Sequence, residues 1–488
     1  MILGTVLSTQ AMARVDSAAI ASGIAGSRLM ENAGGAVVRA ITGLLPPGRV
    51  LVLCGPGNNG GDGYVIARRL ATAGWPVRVA ALGDPTRLSG DAALAAESWS
   101  GRIGRLDEPE AGTFDILVDA LLGAGLDRPL DPALQALLRE LAAGAPRVVA
   151  VDVPSGIDGS TGNVSPGTLR ADLTVTFACL KPAHLLEPAR SMMGEIRCAD
   201  IGIPATAVAA HDSGLRVNEP AEWAGALPRR MRSAHKYTYG HALVLGGGAT
   251  STGAATMAAI AAARVGAGLV TVAAPRDALP IYAGHAPTLL TRPLENVADL
   301  ARLLDDRRFT AVLLGPAFGL GRRTLAMLER VLEASLPSVL DADALTALGR
   351  SDLWSKGRKL PARTVLTPHD GEFARLFELT GDRLERARQG AARAGCIVLL
   401  KGPDTVIATP EGRARINAAA PANLATAGTG DVLAGLIVGL LAQGMSSYDA
   451  AAAAAWVHAR SAERCATPML ATDLADRVPR VLAELRCP

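Results

Sequence analysis

Residues 49–63 read RVLVLCGPGNNGGDG, an apolar run that gives way to a segment rich in glycine and asparagine. The apolar run predicts a strand. The segment after it predicts a loop, followed by a helix from about Gly63 to Ala73 that ends at Gly74. A second apolar run, PVRVAAL at 76–82, completes a strand–helix–strand unit. These residues predict an open parallel sheet whose ligand site lies at the C-terminal ends of the strands.

The same pattern extends on both sides of this unit. Upstream, apolar residues recur every three or four positions from Gln10 to Leu45, which predicts helix. Downstream, FDILVDALLG at 114–123 and RVVAVDVP at 147–154 predict two further strands, each ending in polar residues. The first half of the chain is therefore predicted to form a Rossmann-like, doubly wound α/β domain.

A second domain is predicted after residues 210–232, where Pro, Gly and charged residues follow no clear period. We place the two domains at 1–212 and 226–488. In the second, Ala-rich helices are predicted at 253–265, 430–442 and 448–464. Its predicted strands lie at 241–247, 268–273, 310–315, 336–340, 363–366 and 396–400. This alternation again indicates an α/β fold.

Composition narrows the possible functions of the 488 residues. The chain is 49% hydrophobic and carries 49 Lys and Arg against 46 Asp and Glu, without a long run of one sign. A folded protein is expected, without an extended charged surface for binding nucleic acid or a membrane. The six cysteines include no C-x-x-C pair, and the N-terminus lacks a basic segment typical of a signal peptide. A cytoplasmic enzyme with reduced thiols is expected.

The loop after the first strand fits G-x-G-x-x-G at 55–60, and Asp84 lies near the end of the next strand, as in a dinucleotide-binding site. However, the loop continues as Asn58-Asn59-Gly60-Gly61-Asp62, which adds two amides and a carboxylate. These side chains can serve as ligands, or they can simply support tight turns and cap the helix.

Two more strand-end loops favour a ligand site over a purely structural role for these side chains. They begin at Asp119 and at Asp152, and the second contains Ser155. Because neighbouring strand ends share one crevice, Asn59, Asp119 and Ser155 are predicted to offer three oxygen ligands to one cation. One carboxylate with two neutral oxygens suits a monovalent ion better than magnesium. Taken singly, Asp119 and Asp152 are equally explained as helix caps or strand-end hydrogen-bond acceptors.

The second half ends in NLATAGTGDVLAG at 423–435, which places glycines and Asp431 at the start of an apolar helix. Backbone N–H groups there can bind a phosphate, and the aspartate beside them can accept a hydroxyl proton. Three further polar segments follow predicted strands: DADAL at 341–345, TPHDGE at 367–372 and LKGPDTV at 400–406.

The first ~210 residues resemble the epimerase domain of NAD(P)H-hydrate repair enzymes, the YjeF N-terminal family, through GPGNNGGDG, DALLGAG and DVPSGID at 55–63, 119–125 and 152–158. The resemblance implies potassium ligands at Asn59, Asp119 and Ser155. It implies hydrate contacts at Asn58, Asn59, Gly60, Gly61, Asp62, Gly123, Ala124, Gly125, Leu126, Asp127, Arg128, Pro129 and Asp152. The hydrate is a hemiaminal, so removal of its hydroxyl proton can open the ring, and Asp152 is the expected base. Asp127 and Arg128 remain alternatives for that role.

Residues from about 225 to 485 resemble the ribokinase-like superfamily and, within it, the ADP- or ATP-dependent NAD(P)H-hydrate dehydratases. The resemblance implies hydrate contacts at Ala254, Gly319, His369 and Asp431. It implies nucleotide contacts at Lys401, Gly402, Pro403, Asp404, Thr405 and Gly430. Magnesium would accompany the nucleotide, and Asp431 would be the base for phosphorylation of the hydrate. Ala317 stands where the family has a glycine in its G-P-G-x-G loop, so the Gly319 position carries an uncertainty of a residue or two. Tyr237 is a separate departure, since in the family a Gly often follows His-Lys.

Together these features predict a fused repair enzyme that acts on the hydrates of NADH and NADPH (NADHX and NADPHX). It would epimerise R and S hydrates and dehydrate the S form, and a homo-oligomer is expected. The alternatives are a dehydrogenase that binds NAD, or a binding module, fused to a small-molecule kinase.

Overall fold

The computed structural model describes residues 4–107, 114–126, 128–144, 146–334, 336–352, 357–418 and 420–485. The chain divides into two compact units between Leu215 and Arg216. Among the described residues, no helix has both the length and the apolar character needed to cross a bilayer.

The first unit contains a parallel sheet of seven strands in the order β3-β2-β1-β4-β5-β6-β7. Its strands are β1 (Val50–Cys54), β2 (Val77–Ala81), β3 (Ile103–Arg105), β4 (Ile116–Ala120), β5 (Arg147–Val151), β6 (Leu173–Phe177) and β7 (Glu195–Ala199). Its helices are α1 (Thr9–Ala21), α2 (Gly26–Leu44), α3 (Asn58–Thr72), α4 (Gly90–Glu97), α5 (Pro132–Ala142) and α6 (Ala205–Ala210).

Helices cover both faces of this sheet, which explains the unbroken apolar sequence of β1. Val50, Val52 and Cys54 share a core with α2 and α3, while Leu51 and Leu53 share one with α5. The strand order reverses between β1 and β4, so the two loops that follow these strands diverge and leave a crevice. The predicted doubly wound α/β domain is confirmed.

Two helix boundaries differ from the sequence expectation. The helical segment expected over 10–45 is broken at Ser22–Ala25, where Gly23 adopts φ 100°. The helix expected from Gly63 begins five residues earlier, at Asn58. A Cβ at Gly60 would overlap the carbonyl oxygen of Gly55, so glycine allows the first turn of α3 to pack directly on the end of β1. The residues expected to form a loop are thus the N-terminus of the helix.

The second unit contains ten strands in the order β11-β10-β9-β12-β13-β14-β15-β16-β17-β8. These are β8 (Leu215–Val217), β9 (His241–Leu245), β10 (Leu269–Ala274), β11 (Leu290–Pro293), β12 (Ala311–Leu314), β13 (Ser338–Leu340), β14 (Thr364–Leu366), β15 (Ile397–Leu400), β16 (Thr405–Ala408) and β17 (Ala414–Asn417). The strands from β11 to β15 are parallel, and β15, β16 and β17 pair antiparallel.

Ten helices accompany this sheet in the described part of the chain. They are α7 (Gly253–Arg264), α8 (Leu279–His285), α9 (Val297–Asp305), α10 (Arg322–Glu333), α11 (Asp343–Gly349), α12 (Asp370–Phe377), α13 (Arg383–Ala394), α14 (Thr429–Ala442), α15 (Ser447–Glu463) and α16 (Ala471–Glu484). Helix α14 is buried from Val432 to Ala442 and packs against α7 and α15. Its N-terminus is thereby held at a fixed place in the core.

Residues 216–225 lie outside both expected domains but contribute to the core of the second unit. Asn218 donates hydrogen bonds to Asn417 Oδ1 at 2.9 Å and to the Ala452 carbonyl oxygen at 2.8 Å. The buried indole of Trp223 donates to Asn218 Oδ1 at 3.1 Å. These polar groups are satisfied within the core, so the segment is an integral part of the second unit.

Candidate active sites

A cavity of about 680 Å³ lies in the first unit where the strand order reverses. Of the residues predicted to contact substrate, those lining it are Asn58, Asn59, Asp62, Gly123, Ala124, Gly125, Leu126, Arg128 and Asp152. Pro129, together with Leu126 and Arg128, lines a neighbouring cavity of about 1350 Å³. Gly60 and Gly61 are buried in the first turn of α3 and do not line either one. Asp127 lies outside the described residues.

Asp119 and Ser155, two of the predicted cation ligands, are in direct contact and fully buried. The Ser155 hydroxyl donates to Asp119 Oδ1 at 2.6 Å, and the Ser155 N–H donates to Asp119 Oδ2 at 2.8 Å. Burial raises the pKa of the Asp119 carboxyl despite these bonds. Asp119 is therefore a strand-end hydrogen-bond acceptor, one of the two explanations that the sequence left open for it. Its oxygens can still bind an ion as well.

Asn59, the third predicted ligand, has a buried Nδ2 without a hydrogen-bond partner. A buried polar atom left unpaired is uncommon in folded proteins and calls for an explanation. A side-chain amide can present its oxygen in place of its nitrogen by rotation, so Asn59 has an oxygen to offer to an ion. Among the described residues, no cluster of three or more His, Cys, Asp or Glu residues could hold a metal. The carboxylate, hydroxyl and amide oxygens of the three predicted ligands are hard donors, which suit a monovalent ion better than a transition metal.

Asp152 follows β5 with φ 66°, a conformation that non-glycine residues rarely adopt. Its Oδ1 accepts hydrogen bonds from Lys181 Nζ at 2.7 Å and Thr176 Oγ1 at 2.8 Å, and its Oδ2 accepts one from the Ala124 N–H at 3.1 Å. Burial opposes ionisation, but the charge of Lys181, the neighbouring His184 and the hydrogen bonds from Lys181 and Thr176 together outweigh it and lower the pKa of Asp152 to about 2. Asp152 is therefore a carboxylate held in one orientation.

His184 holds the backbone of Asp152 by a hydrogen bond. Its Nδ1 accepts a hydrogen bond from the Lys181 N–H at 2.9 Å, so its Nε2 carries the proton and donates to the Asp152 carbonyl oxygen at 2.9 Å. Burial lowers the pKa of His184 to about 4, so the imidazole is neutral at pH 7. Its contribution is the hydrogen bond that holds the backbone at Asp152.

Two other carboxyl groups in the cavity have pKa values shifted the opposite way. Burial and the charges of Asp152 and Asp16 raise the pKa of Asp62 well above its usual range. Burial also raises the pKa of Asp16, with a further increase from Asp152 and an opposing effect of Lys181. The cavity thus combines a carboxyl whose pKa is held low with carboxyls whose pKa is raised, the kind of pairing that general acid–base catalysis uses.

In the second unit, neighbouring parallel strands bring predicted site residues to one edge of the sheet. Asp341 follows β13, His369 follows β14 and Lys401 follows β15. Gly319 lies in the loop after β12, where its N–H donates to Asp343 Oδ2 at 2.8 Å, and Ala254 lies in the first turn of α7. These residues share the C-terminal edge on which ligands bind in open α/β sheets.

His369 has a structural role at the start of α12. Its Nδ1 accepts hydrogen bonds from the N–H groups of Gly371 at 3.0 Å and Glu372 at 3.4 Å, and Glu372 Oε2 accepts one from the His369 N–H at 2.9 Å. The side chain is 56% exposed and its Nε2 lies 3.6 Å from Glu372 Oε2. His369 is thus a helix cap that leaves one face of its ring open to a ligand.

A second cavity, of about 400 Å³, lies against the N-terminus of α14. Lys401, Gly402, Pro403, Thr405 and Gly430 line one part, while Pro421, Leu424, Leu433, Ala455 and Ala459 make the rest apolar. Asp404 is buried and does not line it. His458, which sequence analysis missed, lines it and donates from Nε2 to the Thr429 carbonyl oxygen at 2.9 Å. An apolar pocket beside free helix N–H groups is suited to a base and phosphates.

Lys401 lines this cavity, and Asp431 follows Gly430, another of its lining residues, in the first turn of α14. Lys401 Nζ donates to Asp341 Oδ1 at 2.8 Å and lies 3.8 Å from Glu372 Oε2. Burial and the negative charge of Asp341 raise the pKa of Asp431 to about 6, with Lys401 acting against them. Asp431 therefore changes charge close to neutral pH, as an effective general base does.

Two family models match the chain. One, described as YjeF-related protein N-terminus, matches residues 26–183, and one described as NAD(P)H-hydrate dehydratase matches residues 242–482. The bifunctional NAD(P)H-hydrate repair enzyme of Moorella thermoacetica is 38% identical, over 94% of this chain and 92% of its own length. That of Salinibacter ruber is 39% identical, over 98% and 96% respectively. The chain belongs to the bifunctional NAD(P)H-hydrate repair enzymes.

A ribokinase-like superfamily protein of Enterococcus faecalis V583 resembles one part of this repair enzyme in structure. It is 25% identical, with a TM-score of 0.50, and the match covers 56% of this chain and 98% of that chain. The prediction of a ribokinase-like second domain is thereby confirmed. Family membership also decides against the dehydrogenase and binding-module alternatives, since the G-x-G-x-x-G segment belongs to a YjeF-type domain.

The sequence predictions for the repair enzyme did not include Lys181 and Thr176, which contact Asp152, or Asp16, which lines the same cavity. The predictions contained no strand at β6, and Thr176 lies on that strand while Lys181 lies four residues after it. Polar residues beside an apolar strand were the available signal, in TVTFACLKPAH at 174–184.

Proposed function

We propose that the first unit interconverts the R and S hydrates of NADH and NADPH, and that the second dehydrates the S hydrate at the expense of ADP or ATP. The observation that carries the proposal is the tuning of carboxyl groups at both strand-end sites. The pKa of Asp152 is lowered to about 2, that of Asp62 in the same cavity is raised well above its usual range, and that of Asp431 is raised to about 6. Both reactions require proton transfer at the same C6 hydroxyl group.

Epimerisation follows from the two carboxyl groups of the first cavity. Asp152 accepts the proton of the C6 hydroxyl while Asp62 donates its proton to the ring nitrogen N1. The C6–N1 bond breaks, C6 becomes an aldehyde, and rotation presents its other face. Reclosure returns a proton from Asp152 to the oxygen and one from N1 to Asp62, so no proton is gained or lost. Lys181 stabilises Asp152 as the carboxylate between turnovers.

Asn59, Asp119 and Ser155 are proposed to hold potassium. A bound cation would add positive charge to the floor of the substrate crevice. Asp119 supplies the one carboxylate, Ser155 a hydroxyl oxygen already oriented by Asp119, and Asn59 an amide whose buried end lacks a partner. We expect replacement of potassium by a large organic cation, or Asp119→Ala, to abolish epimerisation and to spare dehydration of the S hydrate. Unchanged epimerisation in both cases would refute the cation site.

Dehydration follows from the second site, with the magnesium complex of ADP or ATP as co-substrate. Asp431 takes the proton of the C6 hydroxyl, whose oxygen attacks the terminal phosphorus while the bond to the leaving phosphate breaks. The free N–H groups at Gly430 and the Lys401 ammonium neutralise charge on the transferred phosphoryl group. Phosphate then leaves C6 with the electron pair of the C6–O bond, C5 releases a proton to solvent, and the C5–H electrons form the C5–C6 double bond of the dihydropyridine ring. Phosphate is a far better leaving group than hydroxide.

The proposal is tested with each pure hydrate. S hydrate with nucleotide should recover the absorbance of the reduced nicotinamide, and without nucleotide it should not. R hydrate should give the same product only through prior epimerisation, which chromatography follows without nucleotide. An inactive protein in both assays would overturn the proposal. A homo-oligomeric state and a cytoplasmic location also stay predictions, open to light scattering and cell fractionation.

A further inference from the structure

Arg383, the first residue of α13, contacts both sides of the second site. Its guanidinium donates to Asp370 Oδ2, with Nη2 at 2.6 Å, and to the Lys401 carbonyl oxygen, with Nη1 at 3.0 Å. Its Nε lies 2.9 Å from Asp404 Oδ1. The Arg383 side chain is 15% exposed; its partner Asp370 is 50% exposed and Asp404 only 2%, so the contact with the loop is the one shielded from water.

The three partners belong to two different segments. Asp370 directly follows His369, which we assign to the hydrate. Lys401 and Asp404 flank the turn of the loop at 401–405, which we assign to the nucleotide. A Cβ at Gly402 would lie 2.6 Å from Arg383 Nη1, so the loop wraps closely around the guanidinium. Arg383 thus ties the two substrate segments together through a planar group with fixed donor directions.

The contact between Arg383 and the loop 401–405 also fixes the position of Lys401, the residue of the loop whose ammonium faces the site. The carbonyl of Lys401 is held by Arg383, while the ammonium of Lys401 reaches Asp341 at 2.8 Å. A loop released at its backbone would let that ammonium move relative to the N-terminus of α14. A displacement of about 1 Å at a reacting group can cost about 10²-fold in rate.

We propose that Arg383 is a positioning residue for dehydration. It fixes the position of the nucleotide loop 401–405 relative to the hydrate-side turn at His369 and Asp370. The inference rests on the proposed dehydratase activity. Arg383 does not contact the reacting atoms, and its effect is exerted through Lys401 and Asp404.

The chain offers a matched control on the same helix. Arg386 donates from Nη2 to Asp370 Oδ1 at 3.0 Å and lies over the Phe373 ring at 5.8 Å. Its side chain is 21% exposed, close to that of Arg383. None of the contacts described for Arg386 reaches the loop 401–405. Replacing it therefore removes an ion pair to Asp370 without releasing the loop.

The experiment compares Arg383→Ala, Arg383→Lys and Arg386→Ala in the full-length protein. Initial rates of S-hydrate dehydration are measured over a range of nucleotide and hydrate concentrations, and thermal unfolding reports the folded fraction. We expect Arg383→Ala to lower kcat/KM about 10²-fold and to raise the KM for nucleotide. The kcat/KM of Arg383→Lys should lie between those of Arg383→Ala and the wild type, because an ammonium keeps the charge but not the planar set of N–H donors of a guanidinium. Arg386→Ala should lose no more than about fivefold. Added methylguanidinium should restore part of the activity of Arg383→Ala only.

Three results would overturn the inference: wild-type kinetics in Arg383→Ala, an equal loss in Arg386→Ala, or a loss that vanishes on correction for folded protein. If Arg383→Ala does not fold, Asp404→Asn provides the test, because it removes the negative charge that faces Arg383 Nε from the loop. It should raise the KM for nucleotide and leave that for hydrate unchanged, and an unchanged nucleotide KM would count against the role of Arg383. A wild-type enzyme without nucleotide-dependent activity would instead refute the proposed function.

Discussion

In the first unit the lysine contacts the proposed base itself, whereas in the second unit it contacts a neighbouring carboxylate. Lys181 Nζ lies 2.7 Å from Asp152 and lowers the pKa of that carboxyl to about 2. Lys401 Nζ lies 2.8 Å from Asp341 instead, and the charge of Asp341 helps to raise the pKa of Asp431 to about 6. The same two residue types thus produce a permanently charged group in one unit and a titrating group in the other.

This difference matches the two reactions. Opening a hemiaminal needs a fixed acceptor beside a separate proton donor, the roles that we propose for Asp152 and Asp62. Phosphorylation of a hydroxyl needs a base strong enough to take its proton, and a pKa near the working pH suits that task. Each of the following experiments removes or shifts one part of the comparison.

The largest effect is expected from Asp431→Asn. The asparagine keeps the size of the side chain but cannot accept the proton, so dehydration should fall by about 10²- to 10⁴-fold. The first unit lacks this group, so R and S hydrates should still interconvert at the wild-type rate. The measurement is recovery of reduced nicotinamide from S hydrate with ADP or ATP. A variant that runs at full rate would disprove the role of Asp431 and direct attention to Asp341 or Asp343.

A smaller effect is expected from Lys181→Met, which removes the cation from the first pair. Asp152 would then be buried without its counter-charge, so its pKa should rise and epimerisation should fall, by about 10²-fold. Breaking a buried pair should also lower the free energy of unfolding by about 3–5 kcal/mol. Denaturant unfolding and hydrate chromatography measure the two effects.

The matched control for Lys181→Met is Arg147→Met in the same unit. Arg147 and Asp172 form an ion pair at 2.8 Å, but their side chains are 65% and 41% exposed. Its loss should cost little stability, because solvent screens exposed pairs. If both variants lose the same stability or neither loses epimerisation, Lys181 does not have the role we assign to it.

These contacts also show what the sequence could and could not predict. The strand–helix pattern around 49–63 predicted the fold. The polar strand ends predicted where to look for both candidate sites, because parallel strands present their C-terminal ends at one edge. The Asp152–Lys181 pair could not be predicted from spacing, since it depends on β6, a strand that the pattern analysis did not find. The start of α3 at Asn58 also required the close packing of Gly60 on Gly55, which is a tertiary contact.

A shift in pH dependence is the next smaller effect. Dehydration needs ionised Asp431, so its rate should rise through about pH 6 and fall about tenfold per unit below it. Epimerisation should show no acid limb there, because Asp152 stays ionised down to about pH 2. Asp341→Asn removes a negative charge near Asp431, so the dehydration midpoint should move to lower pH while the epimerisation profile stays the same. An unshifted midpoint would show that Asp341 does not tune Asp431.

The smallest change in rate is expected when the two units are separated, because each contains its own site and core. The fragment 1–212 should epimerise, and dehydration should survive in fragments that start at either 216 or 226.

These two second-unit fragments should nevertheless differ in stability. Only the longer one retains Asn218 and Trp223, whose buried hydrogen bonds and indole complete the core beside Asn417. Loss of a buried Trp costs about 3–5 kcal/mol, so the fragment that starts at 226 should unfold at lower denaturant while its activity per folded molecule is unchanged. Equal stability of the two fragments would show that residues 216–225 only link the units, and swapped activities would overturn the assignment of the two reactions.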